Sequence, residues 1–246
     1  GEGLSSASAR GGIIGSDPFL VHERLGSALS LLPKGTAAVQ VMNVDLTAFL
    51  KSVVEGLDPE LVKLINETIR GVSSWTPTFN VNNVSQLIAE LDRALAGRIT
   101  VALRPLDHEI PPGAQPVPAL AFIAPIRDLR AWDAIAQATI NGNQVLGVAS
   151  EEMWQQGYGG LGTHKVLPLP VASAEGLSWI VLEGETLVFT TDPDFTHEII
   201  EAYGGRGSAV LAGSGVQELL DSYQDRGIRG NVAAWVDAPQ LERILD

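Results

Sequence analysis

The chain has 246 residues, 45% of them hydrophobic, with 16 basic against 29 acidic side chains and a net charge of −13. Such a length and apolar fraction can bury one large core or two small ones, and the acidic balance argues against nucleic acid and anionic membrane surfaces, which need a positive patch. The absence of cysteine excludes disulfides, thiol catalysis and thiolate metal sites, and no apolar run reaches the roughly 18 residues of a membrane-spanning helix.

Residues 1–17 are rich in Gly and Ser and read as a flexible linker or tag remnant. Over Phe19–Leu32, Val21, Leu25, Leu29 and Leu32 recur at helical spacing. Asp17 and Pro18 stand where a cap and a first-turn proline belong. Pro33-Lys34-Gly35-Thr36 is a turn, and Ala37–Val44 a strand. Asp45 then caps a helix through Leu57, and Asp58-Pro59 opens a second that Gly71 ends. Residues 72–82 read as loop. Asn83 caps a third helix, stopped at Gly97.

Arg98–Arg104 alternates apolar and polar residues, the pattern of a half-buried strand. It is also the longest basic cluster, interrupted by strand residues. Pro105–Pro118 is a proline-rich loop. Ala119–Ala124 is apolar throughout, as in a central strand covered on both faces. Asp128 caps a helix ending at Asn141-Gly142. Gln144–Ala149 is a strand candidate, Glu151–Gly162 a glycine-rich loop, and His164–Leu169 a short strand placed near an edge by Pro168 and Pro170.

Leu177–Leu182 and Thr186–Thr190 form a hairpin around Glu183-Gly184-Glu185. Asp192-Pro193-Asp194 leads into a helix that Gly204-Gly205 stops. Ser214 with Gln217 reads as a capping box. Asn231–Val236 is a strand, and Ala238–Asp246 begins a helix.

One grammar recurs: an apolar strand, an aspartate near its exit, then an amphipathic helix. It appears at Ala37–Val44 with Asp45, Ala119–Ala124 with Asp128, Leu187–Thr191 with Asp194, and Val232–Val236 with Asp237. Aspartate there accepts bonds from free helix N–H groups at the positive end of the dipole, so all four read as caps. The first and fourth copies are most alike. The expectation is an α+β domain over 18–230, a mixed, mainly antiparallel sheet carrying amphipathic helices in repeated β(β)α units. Residues 231–246 then read as the truncated start of a second repeat half, which makes the chain a fragment of a longer protein.

The entry Leu32-Pro33-x-Gly35-Thr36, the strand-plus-Asp units and the segment Gly184-Glu-Thr-Leu-Val-Phe-Thr-Thr-Asp192 resemble a family of secreted bacterial proteins of unknown function. The similarity runs over residues 30–246. It implies an α+β fold and an extracytoplasmic location, in the periplasm or attached to the outer membrane, often behind a signal or lipoprotein leader. It carries no catalytic residues.

The residues offer little chemistry. His22, His108, His164 and His197 each precede a Glu or Lys, a solvated setting. His197-Glu198-x-x-Glu201 lacks the second histidine of a zincin helix, and His197 and Glu201 suit a surface pair. Asp107-His108-Glu109 lies in the proline-rich loop. The glycines before Thr163-His164-Lys165 lead into a strand, where a phosphate loop requires a helix. Trp154 and Tyr158, aromatic and set in a loop, are the candidate contacts for a ligand or partner. No catalytic, cofactor or metal residue is assigned. The reading is a non-enzymatic binding or scaffold domain whose partner is an unknown protein or small ligand, without nucleic acid or a membrane span and with room for a lipid anchor upstream. The alternative is a hydrolase assembled from distant histidines, His108 or His164, and carboxylates.

Overall fold

The computed structural model describes residues 14–15, 17–105, 118–145, 165–167, 177–213 and 215–245. In chain order the elements are β1 (Phe19–Leu20), α1 (Val21–Leu31), β2 (Ala38–Asn43), α2 (Leu46–Glu55), α3 (Pro59–Trp75), α4 (Val84–Ala94), β3 (Arg98–Arg104), β4 (Ala119–Pro125) and α5 (Leu129–Val145). There follow β5 (Lys165–Leu167), β6 (Leu177–Leu182), β7 (Thr186–Thr190), α6 (Pro193–Tyr203), a 3-10 turn at Val210–Ala212, α7 (Val216–Asp225), β8 (Arg229–Gly230), β9 (Val232–Val236) and α8 (Ala238–Leu245).

Among the described residues, seven strands form one sheet in the order β5-β6-β7-β4-β3-β2-β9, every neighbouring pair antiparallel. β1 and β8 make a separate two-stranded ribbon. The α+β expectation holds, with β4 central and β5 at an edge as the sequence indicates. Residues 232–236, read as the start of a second half, supply the other edge strand of the same sheet.

Both faces of the sheet are covered. Leu25 and Leu29 of α1, Phe195 and Ile199 of α6 and Leu220 of α7 pack on Val39, Ala102, Ile123 and Val188. On the opposite face Leu46, Ile69 and Trp132 pack around Ile99, Ala124 and Leu187. Each fully buried Leu, Ile or Phe contributes about 1.5–3 kcal/mol by leaving water.

The second layer corrects the reading of Arg98–Arg104 as half-buried. Because α1 and α6 cover that face too, Ala102 and Arg104 are buried and Thr100 is half-buried. Several boundaries also differ. α1 has Leu20 at its N-cap with no side-chain cap, because Phe19 and Leu20 are drawn into β1 against β8; Asp17 and Pro18 precede it. α3 runs past Gly71 to Trp75, since a helix tolerates an interior glycine at a cost of about 1 kcal/mol.

α5 likewise runs through Gly142 to Val145. There a Cβ would lie 2.7 Å from Val72 Cγ2, so Gly142 marks close approach of α3 and α5, not a stop. Residues 144 and 145 belong to this helix, and the remainder of the Gln144–Ala149 strand candidate lies outside the described residues. Ser214 also lies outside them; α7 has Gly215 at its N-cap, and Gln217 bonds Asp221 one turn along. The caps at Asp45, Asp58, Asn83 and Asp128 form as expected, and Asp237 accepts from Gln240 N. In the third copy the cap is Asp192, whose Oδ1 accepts from Asp194 N; Asp194 sits in the first turn of α6.

Candidate functional site

α1 turns one stripe into the core. The adjoining stripe, Arg24, Ser27, Ala28 and Leu31, overhangs one end of the sheet, because residues three and four apart share a helix face. Below it, strand alternation aims Val41 and Asn43 of β2 and Arg98 and Thr100 of β3 to the same side. Arg98 stands opposite Asn43, and Thr100 opposite both Val41 and Ile123. The result is a cleft of about 190 Å³ with Phe19, Ala28, Leu31, Val41 and Ile123 among its apolar walls.

Its polar groups are Arg24, Ser27, Asn43, Arg98, Thr100 and Thr186, and among the described residues no carboxylate lines it. It is continuous through Phe19, Arg24, Ser27, Asn43 and Arg98 with an outer hollow of about 460 Å³ that adds Arg229, Asp17 and Glu23. Arg229 is anchored by donating Nη2 to the Pro18 carbonyl at 2.9 Å, and Asn43 Nδ2 donates to the Asp17 carbonyl at 2.6 Å.

The two arginines of the cleft differ in exposure, Arg24 being half-buried and Arg98 exposed. Burial, and then the like charge of Arg98, lower the pKa of Arg24, while Glu23 pulls it back up. Arginine stays protonated at neutral pH even so. Neither Arg24 nor Arg98 forms an ion pair among the described residues. Two arginines brought together in a protein of net charge −13 form an arrangement that an incoming anion would relieve.

A second charged cluster lies deeper. Arg104 donates Nη2 to Asp192 Oδ2 at 2.8 Å, its Nη1 lies 2.6 Å from Glu198 Oε1, and its guanidinium carbon sits 4.9 Å from the centre of the Phe195 ring. Burial opposes the charge, but Glu198 and Asp192 outweigh it and hold the pKa of Arg104 above its usual value. This cation is already neutralised, so the cluster reads as a latch of α6 onto β3. Two further hollows, about 300 and 270 Å³, lie among the α2–α5 helices and sheet; apart from Thr68 and Thr139 their walls are apolar or glycine. A ligand site pairs an apolar wall with a few placed polar groups, which the Arg24–Arg98 cleft has and these lack.

Trp154 and Tyr158, together with His108 and His164, lie outside the described residues. His197 is exposed on α6, and Glu201 pairs with Arg206 at 3.0 Å. Glu198, read as helix surface, reaches inward to Arg104. His22 is half-buried beside Glu23, with Nδ1 shielded from water and unbonded. Among the described residues no His/Asp/Glu group is placed to hold a metal, and no helix is long and apolar enough to cross a membrane. The cleft itself escaped sequence reading because its two arginines come from distant segments, α1 and β3. The one available signal was Arg98 on the polar face of a strand.

No family model, curated protein or solved structure matches this chain.

Proposed function

We propose that this chain is a non-enzymatic binding domain that holds a small anion bearing a short apolar body in the Arg24–Arg98 cleft. The observation that carries the reading is the meeting of two arginines, neither ion-paired among the described residues, over an apolar floor. Bidentate guanidinium contacts suit a carboxylate or a phosphate ester, and Ser27, Asn43 and Thr100 stand ready to share its remaining lone pairs. A volume of about 190 Å³ corresponds to roughly six waters, at about 30 Å³ each, room for an acid group and a few carbons, with the outer hollow open beyond them.

The domain works outside the cytoplasm of a bacterial cell. That part of the proposal rests on the resemblance to secreted bacterial proteins, and fractionation of cells expressing the native gene tests it. The binding claim is tested by a thermal-shift series with inorganic phosphate, short-chain fatty acids and the matching alcohols. A ligand that binds only the folded state raises the midpoint as its concentration exceeds Kd. Acids should stabilise and alcohols should not; equal shifts from both would contradict the reading.

A further inference from the structure

The register of β9 leaves one edge of the sheet open in a form that fits itself. Asn43 N donates to the Asn231 carbonyl and Asp237 N to the Ala37 carbonyl, both in direct antiparallel pairs. Alternation along the strand therefore turns the main-chain groups of Ala233 and Trp235 toward β2 and those of Val232, Ala234 and Val236 outward. The outward set has no strand partner among the described residues. The same three residues are exposed, Val232 by 38% and Val236 by 51%. The strand, Val-Ala-Ala-Trp-Val, carries none of the lysine, proline or bulge that normally blunts an edge.

We propose that two copies of this chain pair antiparallel through β9 about a two-fold axis at Ala234. The argument for a second copy, over a foreign strand, is self-complementarity. Centring on Ala234 places Ala234 opposite its own symmetry mate and Val232 opposite Val236 of the second copy. All three outward residues then fall in hydrogen-bonded pairs, each exchanging two bonds, with valine against valine on the exposed face. Trp235 faces Ala233 of the second copy, so the large side chain meets a small one. Asp237 comes opposite Asn231 of the second copy at each end. Any other register leaves outward groups unpaired.

A five-residue edge falls short of the roughly 800 Å² per partner of a stable complex, so the dimer is reversible, with dissociation on the order of micromolar or weaker. Two copies of net charge −13 repel, so added salt should strengthen the pair by screening.

Sedimentation velocity over a concentration series should show the mass rising from 26.0 kDa toward twice that, more so at high salt. Ala234→Pro removes only an outward N–H and leaves the β2 ladder intact; Val236→Lys charges the exposed face. Both should remain monomeric with an unchanged circular dichroism spectrum. The chain has no cysteine, so Ala234→Cys gives a single thiol. Its two copies would sit at the roughly 5.5 Å Cα separation of a hydrogen-bonded pair, within disulfide range, and mild oxidation should cross-link it. Gln217→Cys on α7 should not cross-link. A wild-type chain that stays monomeric at every concentration overturns the proposal. So does a dimer that survives Ala234→Pro and Val236→Lys, since it must use another surface.

Discussion

Asp192 does two jobs with one carboxylate: Oδ1 accepts from Asp194 N at 3.0 Å to cap α6, and Oδ2 accepts from Arg104 Nη2 at 2.8 Å. The strand–Asp–helix grammar explains the first bond. The second ties the start of α6 to the far end of β3, 88 residues away in sequence. Removing Arg104 leaves Asp192 buried without a cation, and removing Asp192 leaves the buried Arg104 with only the part-exposed Glu198 as counter-ion. Asp192→Ala should therefore lower stability by about 3–5 kcal/mol in urea unfolding. Replacing Arg104 and Asp192 together by Met and Leu should cost much less than the sum of the single changes, because no lone charge remains.

Glu198 is the control within the same cluster. Its side chain is 44% exposed although it reaches Arg104, so water screens the pair. Glu198→Gln should cost at most about 1 kcal/mol. A loss as large as that of Asp192→Ala would show that Glu198 carries the latch.

Three glycines should respond in opposite directions to alanine. A Cβ on Gly97 would lie 2.1 Å from the Val44 carbonyl oxygen, where Gly97 accepts a bond from Val44 N. Gly97→Ala should cost about 3 kcal/mol or prevent folding, because a backbone atom cannot yield cheaply. Gly184→Ala should cost about 1 kcal/mol through its positive φ of 78° in the hairpin turn. Gly71, inside α3 with nothing within 4 Å, should gain about 0.5–1 kcal/mol as alanine. Thermal unfolding of the three variants orders them.

How much could be read from residues alone divides along a physical line. Local rules found the β6–β7 hairpin, whose Glu183 (φ 49°) and Gly184 turn in the left-handed region, and the caps at Asp45, Asp58, Asn83 and Asp128. Each depends on residues within four positions. Period and spacing could not show that α1 and α6 would cover the second face of β3, which buries Arg104 and gives Thr100 its place in the cleft. Nor could they bring Arg24 beside Arg98, since that meeting depends on α1 crossing β2 and β3. α3 and α5 overran Gly71 and Gly142 because packing between helices overrode local stop signals.

Tyr203 offers a pH test. A side-chain hydrogen bond to Glu183, with burial and the charges of Glu183 and Glu185, raises its pKa. Tyr203→Phe should remove less than about 1 kcal/mol at neutral pH, given solvent screening. A folded pKa above the unfolded value near 10 means the wild-type advantage is complete below about pH 10 and lost as pH rises through the folded value. Melting midpoints of wild type and variant should converge in that alkaline range and stay parallel below it.

Isothermal titration of hexanoate into wild type, Arg24→Met, Arg98→Met and Arg206→Met tests anion binding in the cleft most directly. The cleft reading predicts saturable binding at one site, at least about tenfold weaker in Arg24→Met and in Arg98→Met, since a charge-assisted pair is worth about 1.5–3 kcal/mol. Arg206→Met, whose side chain pairs with Glu201 on the α6 side, should bind as wild type does. Absence of binding to wild type, or equal affinity in all four proteins, would contradict it.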